Sequence, residues 1–164
     1  MKIGILSDTH GYLDDKIFDY FKDCDEIWHA GDIGDIAVTD KIKAFKKLRA
    51  VHGNIDGGEI RKEFKETIRF TLGGVHFLMT HIGGKPYVYS KNIKDEITNN
   101  PPDVFICGHS HILKVQYDKR INTLYINPGA CGKHGFHKVR TIIRLEIKNR
   151  RLENMEVIEL GKRA

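Results

Sequence analysis

The first half of the chain alternates short apolar runs with amphipathic stretches. Residues 2–6 (KIGIL) read as a strand, 15–22 (DKIFDYFK) as a helix, and 26–30 (EIWHA) as a second strand. Residues 38–47 (VTDKIKAFKK) carry the next helical pattern, and 48–52 (LRAVH) a third strand. This strand–helix–strand rhythm predicts a parallel sheet with crossover helices. The second half changes character. Its β-rich runs at 67–72 and 75–80 are joined by Gly73-Gly74, a two-residue hairpin signal. Residues 88–98 read as a helix that Asn99-Asn100-Pro101-Pro102 must stop. A short apolar strand at 103–107 follows, then β runs at 112–118, 123–127, 138–147 and 151–160. The pattern predicts an α/β fold with one mixed sheet or two packed sheets, and periodicity alone does not choose between them. No repeat, low-complexity tract or linker interrupts it, so residues 1–164 read as one domain.

Polar residues collect where the apolar runs end. After KIGIL comes Ser7-Asp8-Thr9-His10, after EIWHA comes Gly31-Asp32, and after LRAVH comes Gly53-Asn54-Ile55-Asp56. After VHFLMT comes His81, and after DVFIC comes Gly108-His109-Ser110-His111. Loops at the carboxyl ends of parallel strands converge, so five such clusters on one edge of one sheet would share a cleft. Together they offer two carboxylates (Asp8, Asp32), one amide oxygen (Asn54) and four imidazoles (His10, His81, His109, His111). A mixed nitrogen and oxygen set suits manganese, iron, nickel, cobalt or zinc, whereas calcium takes oxygen alone. Seven donors exceed one tetrahedral site and suit two metals sharing a carboxylate.

Each cluster alone has an ordinary explanation, because Asp-x-His and His-x-His recur by chance and strand-end glycines punctuate turns. Five in succession after five strands do not. The other histidines keep ordinary readings. His29 and His52 lie within strands and His76 within the hairpin, while His134 and His137 reach the cleft only if the 132–137 loop folds over it.

Composition adds bounds. The chain has 164 residues, 40% hydrophobic and 30% charged, enough for a buried core and unlike a disordered chain. Lys+Arg 27 against Asp+Glu 22 leaves +5, which suits an anionic partner without naming one. The basic residues (Lys41, Lys43, Lys46, Lys47, Arg49, Lys148, Arg150, Arg151) form no stripe interleaved with aromatics, which disfavours nucleic acid. No apolar run reaches the ~18–20 residues of a membrane span, and MKIGILSD has no secretory pattern. Cys24, Cys107 and Cys131 form neither an even set nor a Cys-x-x-Cys pair, so the expected setting is the reducing cytoplasm.

The ordered series Asp8-x-His10, Gly31-Asp32, Gly53-Asn54, His81 and Gly108-His109-x-His111 resembles the calcineurin-like metallophosphoesterase superfamily. The short chain and its Gly-Asn-x-Asp form are similar to the small YfcE-type phosphodiesterases, and Asn127-Pro128-Gly129 matches a further family loop. The resemblance implies a four-layer αββα sandwich of two mixed β-sheets. It also implies that Asp8, His10 and His111 hold one divalent metal, that Asn54, His81 and His109 hold another, and that Asp32 bridges them. Manganese is the first expectation, with nickel, iron, cobalt or zinc as alternatives. The implied reaction is hydrolysis of a small phosphodiester, by in-line attack of a hydroxide bridging the two metals. Asn54 and His81 are also the candidates for touching substrate.

One departure stands out. Many superfamily members carry a histidine after Gly-Asn that protonates the leaving group, and this chain has Ile55 there. Asn54 and Asp56 are the candidate catalytic residues left nearby, although a turn-capping or supporting role suits Asp56 better. Without a strong general acid, aryl esters should be cleaved better than alkyl ones. The competing readings are a non-catalytic scaffold, like the retromer subunit that shares this fold, a nuclease, and a phosphomonoesterase. A homo-oligomer is left open.

Overall fold

In the computed structural model, which describes residues 1–163, most apolar runs form strands and most amphipathic stretches form helices. The first elements are β1 (Lys2–Leu6), α1 (Lys16–Tyr20), β2 (Glu26–His29), α2 (Ile36–Phe45), β3 (Lys47–Ala50) and α3 (Gly58–Glu63). Next come β4 (Thr67–Leu72), β5 (Val75–Thr80), β6 (Gly84–Lys85), β7 (Val88–Tyr89) and α4 (Lys91–Asn99). The chain then adds β8 (Val104–Ile106), β9 (Leu113–Asp118), β10 (Thr123–Pro128), β11 (Val139–Lys148) and β12 (Arg151–Lys162).

Local chemistry moves some boundaries. α2 starts two residues before the apolar period because Asp35 caps it, its Oδ1 accepting the Ala37 N–H at 2.8 Å. α4 begins at Lys91 because Val88 and Tyr89 pair with Lys85 and Gly84 instead. α3 has no counterpart in the sequence reading; it is six residues long and buries only Ile60.

Two mixed sheets form, in the orders β12-β11-β1-β2-β3 and β4-β5-β8-β10-β9. β1, β2 and β3 run parallel, with β11 antiparallel to β1. In the second sheet β5, β8 and β10 run parallel between antiparallel edges. Parallel pairing is therefore not confined to the first half, and the last two strands return to the first sheet.

The sheets pack face to face. Ile3, Ile5, Trp28 and Ile143 of the first meet Phe77, Met79, Ile106 and Ile126 of the second, with Trp28 edge-on to Phe77 at 4.8 Å between ring centroids. Each such side chain contributes about 1.5–3 kcal/mol when fully buried. Outside the first sheet, Ile17 of α1, Val38 and Ile42 of α2 and Ile60 of α3 cover Leu6, Ile27 and Ile142. Outside the second, Ile93 and Ile97 of α4 cover Leu78, Phe105 and Tyr125. The result is an α/β fold in four layers, αββα.

This architecture corrects one expectation. The five polar clusters do not sit on one edge of one sheet: β1, β2 and β3 present three, and β5 and β8 of the facing sheet present two. Strands such as β1 and β5 are buried on both faces and need a covering layer on each side, which two sheets supply. The clusters still meet, because the parallel strands of both sheets end at the same end of the sandwich.

Candidate metal centre

The chain leaves these strands in sharp turns. Asp8, His10, Asp32, His109 and His111 all adopt left-handed φ, between 47° and 68°. That conformation costs a residue with a Cβ roughly 1–2 kcal/mol, and such strain persists only where surrounding structure over-determines it. Backbone bonds supply that constraint. The Asp8 and His10 N–H groups donate to Gly31 O and Asp32 O, both at 3.0 Å, and the Gly108 N–H donates to His81 O at 3.0 Å. The His109 N–H donates to Asp8 Oδ2 at 3.2 Å, tying the second sheet's loop to the first sheet. Gly53 must be glycine here, since a Cβ would fall on the Asp32 carboxylate and amide.

Two groups of donors result: Asp8, His10 and His111, and Asp32, His81 and His109. Within each group the donor atoms lie within 4.8 Å of one another. His111 Nε2 is 3.2 Å from Asp8 Oδ1 and 3.3 Å from His10 Nε2. Asp32 stands between the groups, its Oδ2 3.6 Å from His10 Nε2 and its Oδ1 3.2 Å from His81 Nε2. Asn54 is exposed in the same cleft, and the next backbone N–H, of Ile55, donates to Asp32 Oδ1 at 3.2 Å. All seven donors expected from the sequence therefore gather in one place.

The donors fit divalent cations. Asp8 Oδ1 and His81 Nε2 are buried, 3.9 Å apart, without any hydrogen-bond partner among the described residues. Within the first group, two tetrahedral ligands of one cation at about 2.0–2.1 Å would lie roughly 3.3 Å apart, and His111 Nε2 stands 3.2 Å from Asp8 Oδ1 and 3.3 Å from His10 Nε2. His81 Nδ1 lies 2.8 Å from Ala30 O, which can only accept, so the Nδ1 proton is committed there and Nε2 of the neutral ring carries a lone pair. Burial opposes a charge on His81, but the neighbouring carboxylates of Asp32 and Asp8 outweigh it and raise its pKa. Burial lowers the pKa of His10 against the pull of Asp32 and Asp8. Burial would raise Asp32, yet the neighbouring His81 and the Ile55 N–H hold its carboxyl below the usual range.

The remaining candidates differ in their access to the cleft. Asp56 is 3% exposed and lies outside the cleft lining. Its Oδ2 accepts N–H bonds from Gly53 at 2.7 Å and Ile33 at 3.1 Å, and its Oδ1 accepts from Gly34 at 2.7 Å. Accepting from three amide N–H groups, this carboxylate fastens the Asp32 loop to the Asn54 loop. His81 is 2% exposed and its Nε2 faces the carboxylates, whereas Asn54 is exposed to the cleft. His29 behaves as expected: Gly31 N–H donates to its Nδ1 at 3.1 Å, its Nε2 lies 3.0 Å from Thr9 Oγ1, and burial pushes its pKa down to about 4.

The 132–137 loop does fold over the cleft. Cys131 N–H and Gly132 N–H donate to Ser7 O at 3.0 Å and Asp8 O at 3.1 Å, which turns the chain across the site. The His134 ring then lies 4.7 Å from that of His10, and His137 Nδ1 lies 3.3 Å from His111 Nδ1. The sequence signal was present, two histidines flanking Gly135-Phe136 after Asn127-Pro128-Gly129, but the closure depends on residues far away in the chain. Asn127 is a second supporting residue; its Nδ2 donates to Gly108 O at 2.8 Å and Ser110 Oγ at 3.1 Å, shaping the turn that carries His109 and His111. The cleft measures about 420 Å³, and exposed Ile55, Ile112 and Phe136 line its apolar side.

Residues 1–150 match the calcineurin-like phosphoesterase superfamily domain. The chain is 33% identical over 161 residues to a probable metallophosphoesterase of Methanocaldococcus jannaschii, covering 90% of this chain and 80% of that one. It is 32% identical over 150 residues to a phosphodiesterase of the same organism, covering 80% and 84%. Among solved structures, an archaeal phosphodiesterase superposes with a TM-score of 0.78 at 26% identity, covering 98% of this chain and 100% of its own. Vps29 of Entamoeba histolytica complexed with Zn²⁺ shares the fold, with a TM-score of 0.74 at 15% identity and full coverage of both chains.

Proposed function

The chain belongs to the calcineurin-like phosphoesterase superfamily, and from that premise we propose that it is a phosphodiesterase working with two divalent cations, manganese first among them. One observation carries the reading: two buried donors, Asp8 Oδ1 and His81 Nε2, have no partner inside a ring of seven donors centred on Asp32. Asp8, His10 and His111 would hold one cation, Asn54, His81 and His109 the other, and Asp32 both. When bound, the pair would supply positive charge for the phosphate and acidify a water, so that hydrolysis runs near neutral pH.

The chain's own groups do the rest. Asp32, fixed by the Ile55 N–H, keeps the two donor groups in register. Asn54, exposed at the cleft, has amide N–H groups free for a phosphate oxygen beside its own donor oxygen. Ile55, Ile112 and Phe136 offer an apolar wall for one ester arm. The phosphodiesterase relatives support a diester substrate over a monoester. Three free, buried cysteines support a cytoplasmic setting, and the match over residues 1–150 supports a single domain. Among the described residues no helix is long and apolar enough to cross a membrane.

The shared Vps29 fold favours a second reading, a non-catalytic scaffold. Rates against a panel of phosphodiesters, phosphomonoesters and oligonucleotides with added Mn²⁺ separate the readings. Diester hydrolysis that disappears in Asp32→Asn supports the enzyme. Equal background rates in parent and variant leave the scaffold.

A further inference from the structure

From the 132–137 loop, the His137 ring meets the candidate metal ligand His111 at its Nδ1. We propose that His137 is a positioning residue that sets the tautomer of His111 and thereby aims the His111 Nε2 lone pair at the cation. The inference deepens the two-cation reading and rests on it.

The contacts of a neutral His137 favour one arrangement of protons. His137 Nε2 lies 3.0 Å from the Gly132 carbonyl oxygen, which can only accept, so this nitrogen carries the proton. Neutral His137 then has a bare Nδ1, and it faces His111 Nδ1 at 3.3 Å. That spacing is a hydrogen bond only if His111 Nδ1 carries the proton and donates it. His111 Nε2 is left with its lone pair, 3.2 Å from Asp8 Oδ1 and 3.3 Å from His10 Nε2. The opposite tautomer of His111 would set two bare nitrogens against each other. Turning His137 over as well would set a bare nitrogen against the Gly132 oxygen.

The loop is built to hold this contact. Gly132 N–H donates to Asp8 O at 3.1 Å, which fixes the start of the loop to the turn that carries Asp8. Arg163 donates from Nε to His137 O at 3.1 Å and from Nη1 to Lys133 O at 3.4 Å, pinning both sides of the loop. Gly135 lies over the His111 ring at φ +116°, where a Cβ would strike Nδ1. A histidine ligand that donates its second N–H to a fixed acceptor is a stronger and better-aimed ligand, and losing such support costs about 10–100-fold in metal affinity.

The test uses the full chain in three forms: parent, His137→Leu, and His137→Asn, whose Oδ1 restores an acceptor near the place of Nδ1. Long-range ¹H–¹⁵N spectra of the metal-free proteins, recorded on the alkaline side of imidazole titration, report which His111 nitrogen holds the proton. Calorimetric titration with Mn²⁺ reports the sites separately. The expected result is an Nδ1–H tautomer in the parent, loss of its dominance in His137→Leu, and about 10–100-fold weaker binding at one site only. His137→Asn should recover most of both. An Nε2–H tautomer in the parent, or a His137→Leu protein with unchanged tautomer and affinities, overturns the proposal. A parent that shows the Nδ1–H tautomer yet takes up no Mn²⁺ overturns the proposed function and, with it, the aim at a cation. If His137→Leu does not fold, the parent spectrum and His137→Asn still decide.

Discussion

Strand β2 has a buried carboxylate at its start and another just beyond its end, and the two are built in opposite ways. Glu26, 2% exposed, is saturated. Its Oε1 accepts from Lys47 at 2.7 Å, and its Oε2 accepts from Arg49 Nε at 2.6 Å and Trp28 Nε1 at 3.0 Å. Burial would raise its pKa, but the Arg49, Lys47 and Trp28 hydrogen bonds pull it down to about 2. Asp32, six residues on, faces histidines across gaps of 3.2 and 3.6 Å, beside two buried donors that have no partner. Unpartnered buried polar groups are costly, so evolution keeps them where something outside the chain completes them. The closed cluster serves the fold and the open one is the candidate metal centre, although both are carboxylates bordering one strand.

The contrast breaks first at Asp32. Asp32→Asn should lower diesterase activity by on the order of 10³-fold, beyond the about 10–100-fold typical of supporting groups. The melting temperature of the metal-free variant should not fall, because a charge leaves an unbalanced site. Initial rates and melting curves on the same preparations check both halves. The leaving group comes next. With Ile55 unable to protonate it and Asp56 occupied by three amides, alkyl phosphodiesters should lag aryl ones by about 10²-fold or more. A rate series over leaving groups of graded acidity measures this, and a flat series would reveal an acid elsewhere.

Glu26→Gln should do the reverse of Asp32→Asn. Lys47 is solvent-exposed and rehydrates, so the loss should fall near the low end for a broken buried pair, about 3 kcal/mol, or roughly 6–12 °C in melting temperature. Activity should stay within about twofold. The smallest effect is in the pH dependence. Glu26 has a folded pKa of about 2 against an ordinary 4.5, so its contribution is complete above 4.5 and fades as pH falls towards 2. Stability measured across that window should drop more steeply for the parent than for Glu26→Gln, until the two converge.

Much of this was legible in the sequence. The runs 2–6 and 75–80 form strands at those positions, and Asp8, Asp32, Asn54, His81, His109 and His111 stand out because ligand chemistry follows apolar runs repeatedly. The division into two sheets was not legible from periodicity, since strands buried on both faces show no alternation; only the family resemblance implied it. A supporting role for Asp56 was legible, but not its partners, backbone N–H groups from both Gly53 and the Ile33-Gly34 turn. His137 looked ordinary because its importance arises from Gly132 bonding to Asp8, a contact across more than a hundred residues of chain. Left-handed φ at five of the seven donors was equally invisible, being imposed by the bonds between loops.

The central claim is that the open cluster is completed by two cations. Calorimetric titration of the metal-stripped parent with Mn²⁺ tests it most directly, alongside Asp32→Asn. The account predicts two ions per chain for the parent, a rise in melting temperature on binding, and loss of at least one site in the variant. No binding by the parent, or the same stoichiometry and affinity in Asp32→Asn, would contradict it.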